Sequence, residues 1–212
     1  MTKKQKAQKL KKLFLLAYPN PKTELCYKNL YELLVSVMLS AQCTDKRVNL
    51  ITPALFASYP TPKHLANAEI EDVKELIRSC SFFNNKANNL IKMANQVINE
   101  FNGEIPQSQE ELKSLAGVGQ KTANVVLIEY FEQNFMAVDT HVFRVSHRLG
   151  LSSAKTPLKT EQELVKLFQN DLSALHQAFV LFGRYVCKAL KPDCQDCFVR
   201  DFCISTKNFK PQ

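Results

Sequence analysis

The sequence predicts an all-α fold, on three observations. Apolar residues recur at i, i+3, i+4 and i+7 through one run after another, no segment sustains strict alternation, and the runs are punctuated by Thr, Asn and Asp before them and Gly or Pro after them. At 212 residues and 45% hydrophobic content the chain can bury a real core, in one domain or two small ones. There is no internal repeat and no low-complexity tract.

The elements follow in order. Lys3 to Tyr18 reads as a helix with Leu10, Leu13, Phe14 and Ala17 on one face and lysines on the other, ended by Pro19-Asn20-Pro21. Asn29 to Ala41 is apolar on most sides and is expected to be a central core helix. Thr44 or Asp45 caps a helix over Lys46 to Tyr59. Short helices over Thr61 to Ala66 and Ile70 to Arg78 lead to a longer one ending near Phe101, with Ala87, Leu90, Ile91, Ala94, Val97 and Ile98 inward and Gly103 closing it. Further helices fit Gln109 to Leu115, Gln120 to Phe131, a segment capped by Asp139, Thr160 to Asn170 and Leu172 to Leu190.

Leu115-Ala116-Gly117-Val118-Gly119-Gln120-Lys121 is the stretch with the most chemistry in it. Two glycines permit a tight turn between two helices. Val118 between them can plug inward and leave the amides of Gly117 and Gly119 pointing outward at a helix N-terminus. Unpaired N–H groups at the positive end of a helix dipole bind anions. The excess of 28 Lys and Arg over 20 Asp and Glu, a net charge of +8, suits a polyanionic partner such as a DNA backbone. Lys121 falls in the first turn of the second helix, where the dipole disfavours an ammonium and a neutral amine is a nucleophile. A plain phosphate contact is the alternative role.

Seven cysteines in a chain with no apolar leader at its basic N-terminus argue against a disulfide framework. No run approaches the roughly 20 apolar residues of a membrane span. The expected location is cytoplasmic, at the nucleoid when on DNA, and not secreted. Four cysteines crowd into one tail as Cys187-x6-Cys194-x2-Cys197-x5-Cys203. Four thiolates from a compact loop can surround a zinc ion or an iron–sulfur cluster, and a single Cys-x2-Cys knuckle leans toward the latter.

Taken together, the glycine turn with Lys121, the Val138-Asp139-Thr140-His141 run, the Leu39-Ser40-Ala41-Gln42 run and the cysteine spacing resemble endonuclease III, the bifunctional DNA glycosylase of the helix-hairpin-helix superfamily. The resemblance runs from about Leu10 to Cys203, with the motifs in the family's order. It implies a two-lobed all-α glycosylase fold: a six-helix domain over 22–131 containing the helix-hairpin-helix (about 109–127), and a second domain from 1–21 plus 132–212 carrying a [4Fe-4S] cluster on loop 187–203. It places the ligands on Cys187, Cys194, Cys197 and Cys203, and DNA across the groove between the lobes.

The resemblance further implies that Lys121 is the nucleophile and Asp139 its catalytic partner. Lys121 attacks C1′ of a damaged nucleotide, displaces the base and forms a Schiff base, after which β-elimination cuts the strand on the 3′ side. Gln42 and Phe82 match segments that wedge into the space left by a flipped nucleotide, and Gly117, Val118, Gly119 and Lys121 meet the DNA. Double-stranded DNA with oxidised pyrimidines or abasic sites is the expected partner, and a monomer the expected state. His141 and Arg144 are read as structural.

Three departures stand out: Ala116 where the hairpin commonly has proline, Ser81-Phe82 for a more typical Gly-Leu, and Cys43 for a typical alanine. An adenine glycosylase of the same superfamily would place a glutamate near Val37 and lack Lys121. A cluster-bearing DNA-binding protein without enzymatic activity gives no reason for Lys121 and Asp139 to stand where they do.

Overall fold

The computed structural model describes residues 1–209, and among them every regular element is helical. Helix α1 (Lys3–Ala17) starts with a reciprocal capping box: the Thr2 hydroxyl accepts from the Gln5 amide at 3.2 Å, and the Gln5 side chain accepts from the Thr2 amide at 2.9 Å. Its buried stripe is Ala7, Leu10 and Phe14. The expected all-lysine outer face fails at Lys11, which is only 8% exposed. Its ammonium reaches the backbone and side-chain oxygens of Asn170 and the Asp171 carboxylate, so a cation sits at the core edge because three oxygens replace its water.

The chain divides into two compact units, Glu24–Phe131 and Met1–Thr23 with Glu132 onward. The first holds seven helical segments: α2 (Leu30–Ser40), α3 (Asp45–Ser58), α4 (Pro62–Ala66), α5 (Ile70–Ile77), α6 (Phe83–Glu100), α7 (Gln109–Ser114) and α8 (Gln120–Phe131). The stretch between α3 and α6 is two short helices, as their sequence predicts. Side chains of Asn29, Thr44, Thr61 and Ser108 each accept from the third amide of the helix they precede, as residues with a short oxygen do at N-caps. Helix α2 is buried from Tyr31 to Leu39 and packs against α3, α6 and α8, so it is the central strut of this unit.

The second unit is built from α1 with α9 (Thr140–Arg148), α10 (Pro157–Phe168) and α11 (Leu172–Tyr185). Phe14 meets Phe179 at 4.4 Å and Phe182 at 5.2 Å between ring centroids, which joins α1 to α11. Gly183 lets α9 approach: a Cβ there would lie 2.8 Å from the Cβ of His141. Helix α10 begins at Pro157, three residues before the expected start, with Thr156 as its cap and proline in its first turn. Helix α11 stops at Tyr185 instead of running to Leu190. The Cys187 amide folds back onto the Phe182 carbonyl at 2.7 Å, and the Arg144 guanidinium takes the Gly183 and Cys187 carbonyls, so the outgoing chain turns away. No described helix is long and apolar enough to cross a membrane.

Candidate active site and cysteine loop

The turn between α7 and α8 is held from outside by one side chain. Gln96 of α6 accepts from the Ala116 amide at 2.7 Å and donates to the Ser114 carbonyl at 3.1 Å. Ala116, lacking the rigidity of proline, therefore still sits in a backbone clamped on both sides. Gly117 has φ 78° and lies against Asn89: a Cβ there would be 2.9 Å from the Asn89 Cβ. Val118 is 6% exposed and turned inward, while nothing lies within 4 Å of where a Gly119 Cβ would stand. The Gly119 carbonyl accepts from the Ala123 amide at 3.0 Å, so Gly119 opens α8. Lys121 follows, half-buried in the first turn.

Two further loops of this unit lie together. Gln42, after α2, and Phe82, before α6, both have left-handed backbones, φ 54° and 57°, and both are exposed, Phe82 by 62%. The Lys86 ammonium of α6 donates to the carbonyls of Leu39 and Ala41, each at 2.7 Å, and so fixes the chain leading into Gln42. Between the loops the Cys43 and Cys80 sulfurs stand 3.3 Å apart.

In the other unit, Asp139 caps α9, its Oδ1 accepting from the Val142 amide at 2.8 Å. The same helix ends at the cysteine loop. Arg148 donates to the Lys188 carbonyl at 2.7 Å, the Ala189 carbonyl at 2.8 Å and the Cys187 sulfur at 3.3 Å, and its guanidinium lies 4.5 Å over the Phe209 ring. Cys203 donates to the Arg148 carbonyl.

Cys187, Cys194, Cys197 and Cys203 all line one pocket, with Phe182, Val186, Val199 and Pro192 as its apolar wall. Among the described residues no three ligating side chains converge as one ion would require. The donor set, four soft thiols spread around a cavity, fits a cluster with its own irons and sulfides. Burial raises the pKa of Cys197 and of Cys194, and the neighbouring cysteines raise both further.

Sequence reasoning missed Gln96, Asn89, Lys86 and Arg148 as the parts that hold these loops. No local signal in the sequence marked them, because Lys86 and Gln96 take their partners from other segments of the chain.

Residues 35–170 match the model of the HhH-GPD superfamily of base excision DNA repair proteins, and residues 187–203 match the iron–sulfur binding domain of endonuclease III. The fold and the hairpin thus place the chain in a class, helix-hairpin-helix base excision repair proteins. Endonuclease III of Rickettsia conorii is 45% identical over 97% of this chain and 99% of its own, and that of Haemophilus influenzae is 44% identical over 87% and 88%. A trapped endonuclease III–DNA covalent intermediate superposes with a TM-score of 0.92 at 40% identity, covering 98% of both chains. A thermostable thymine-DNA glycosylase shares the fold at a TM-score of 0.85 and 19% identity. The chain belongs to the endonuclease III family and binds the family's [4Fe-4S] cluster.

Proposed function

We propose that this protein excises oxidised pyrimidines from duplex DNA and cuts the strand at the resulting abasic site, with Lys121 as nucleophile and Asp139 as its partner. The chain is an enzyme of base excision repair, a DNA glycosylase and abasic-site lyase. The observation that carries the residue assignment is the seat of Lys121. It is held in the first turn of α8, two residues after Gly119, where a DNA phosphate on the turn amides would fix the strand beside the amine.

The Lys121 Nζ attacks C1′ and the base departs, taking up a proton. The sugar ring opens as the imine forms, the 2′ proton is lost, and the 3′ phosphate leaves by β-elimination. Water then hydrolyses the imine and frees the lysine. The Asp139 carboxylate has Oδ1 committed to the Val142 amide, and its Oδ2 serves the reaction, accepting a proton from the amine or balancing positive charge on the sugar. Gln42 and Phe82 enter the duplex in place of the extruded nucleotide. Gly117, Val118 and Gly119 form the phosphate nest.

Cys187, Cys194, Cys197 and Cys203 hold the [4Fe-4S] cluster, which when bound cross-links a tail that has little core of its own. The protein works as a monomer on double-stranded DNA, in the cytoplasm at the nucleoid.

Borohydride trapping tests the assignment, on a duplex with one thymine glycol, comparing wild type with Lys121→Ala. A covalent adduct with wild type alone is expected. An adduct of equal yield with Lys121→Ala sinks the nucleophile assignment. Trapping only on an abasic-site duplex would keep the lyase, rule out thymine glycol and reopen the choice of base.

A further inference from the structure

Cys43 and Cys80 are unused by the chemistry above and lie far along the chain from the cluster ligands. Their sulfurs are 3.3 Å apart, Cys43 half-buried and Cys80 only 3% exposed. Each is beside a loop residue in the left-handed region: Cys43 follows Gln42, and Cys80 is two residues before Phe82. The pair therefore joins the two loops from behind, at the point where Lys86 also ties α6 to the chain entering Gln42.

We propose that Cys43 and Cys80 are a reversible thiol–disulfide pair which, when oxidised, staples the two loops together and slows base excision. The effect on excision rests on the reading of Gln42 and Phe82 as the side chains that enter the duplex.

A disulfide needs its sulfurs at about 2.05 Å, so closure brings the two sulfurs, now 3.3 Å apart, about 1 Å nearer and pulls on both loops. Gln42 and Phe82, beside the pair, have left-handed backbones that non-glycine residues tolerate only over a narrow range, so a shift of the loop backbone on closure would turn their side chains. The α2 and α6 ends behind them are fixed by packing and by Lys86. A misplacement of this size costs up to about a hundredfold in rate when it alters how a substrate is held.

The oxidant is a small-molecule disulfide such as oxidised glutathione. Burial pushes the Cys80 thiol up to about 12, and its hydrogen bond with Cys43 pushes the same way, so Cys80 keeps its proton. The more accessible Cys43 attacks first, forming a mixed disulfide and releasing one glutathione as its thiol. Cys80 then attacks the Cys43 sulfur, its proton passing to the second departing glutathione. Two thiols are oxidised and one disulfide is reduced to two thiols. Reduced dithiothreitol reverses the exchange.

The test uses the cluster-loaded enzyme, held anaerobically in oxidised glutathione or in dithiothreitol, with visible absorbance reporting cluster integrity. Non-reducing peptide mapping by mass spectrometry should find a Cys43–Cys80 cross-linked peptide. Single-turnover excision of thymine glycol should fall by about tenfold or more and recover on reduction. Cys43→Ala should excise at the same rate in both media. Absence of the cross-link overturns the proposal, as does a cross-link with unchanged excision, or an equal fall in Cys43→Ala. Reduced Gln42→Ala excising as fast as wild type would instead refute the wedge reading, leaving the cross-link as its own result.

Discussion

The two glycines of the hairpin separate stability from DNA binding, and their alanine variants should do so in opposite senses. Gly117→Ala imposes a left-handed backbone on a residue with a Cβ, at φ 78°, which costs about 1–2 kcal/mol. The new Cβ would also lie 2.9 Å from the Asn89 Cβ, an atom fixed to the α6 backbone, and relieving such an overlap costs about 1–3 kcal/mol more. The loss in unfolding free energy is then roughly 2–5 kcal/mol, read from urea melts followed by circular dichroism.

Gly119→Ala has open space within 4 Å of its Cβ and no left-handed φ, and loses only glycine's modest advantage over alanine at a helix start, under about 1 kcal/mol. On the proposed phosphate-nest reading, its Cβ would stand in the open space by which a phosphate approaches the turn. Losing one charge-assisted phosphate contact costs about 1.5–3 kcal/mol, or roughly ten- to a hundredfold in Kd. Affinity is measured by fluorescence anisotropy on an abasic-analogue duplex at a single fixed salt concentration, because phosphate contacts are salt-dependent. Wild-type affinity in Gly119→Ala would refute the turn as a phosphate nest. A wild-type urea midpoint in Gly117→Ala would refute the packing of Asn89 beneath it.

Lys86→Met keeps the alkyl stem but leaves the Leu39 and Ala41 carbonyls without their donor, and should lower stability by about 1–3 kcal/mol and slow excision on damaged duplex. Unaltered single-turnover excision would show that the entry into Gln42 needs no such tether. Lys11→Met should cost only about 1–2 kcal/mol in urea melts, because the Asp171 carboxylate it strands is half exposed and can recover water. A loss above about 4 kcal/mol would mean that the partner oxygens are far less hydrated than they stand here. Arg148→Lys cannot reproduce a planar fork that reaches two carbonyls and a sulfur, so its cluster absorbance should decay several-fold faster in air than wild type's. Equal decay would remove Arg148 from the support of the loop.

What was legible in the sequence was local. Thr44 and Asp139 announce helix starts because a short side-chain oxygen reaches an amide three residues on, and each does so in the structure. The glycine turn and the four cysteines were legible because their chemistry is written in adjacent positions. What periodicity could not supply was the distant partner. Lys11 reads as one more solvated lysine until Asn170 and Asp171 are folded against it, and Gln96 reads as a surface amide until the hairpin turn arrives twenty residues later. Cys43 is the sharpest case. Alone it is a departure from a typical alanine, a small side chain replaced by a slightly larger one. Beside Cys80 it becomes half of a reactive pair, and its meaning depends on a residue thirty-seven positions away that no local pattern connects to it. The supports of the loops were illegible for the same reason that they are informative. Each is a polar group whose burial would be unfavourable without a partner from another element, so each marks where the fold has fixed two segments together. Lys86 and Gln96 lie on α6, and Cys80 lies three residues before its start. That helix, which carries no residue of the proposed chemistry, holds both the hairpin that presents Lys121 and the loop that presents Gln42. Substitutions on its polar face should therefore alter excision without touching DNA or the reacting sugar.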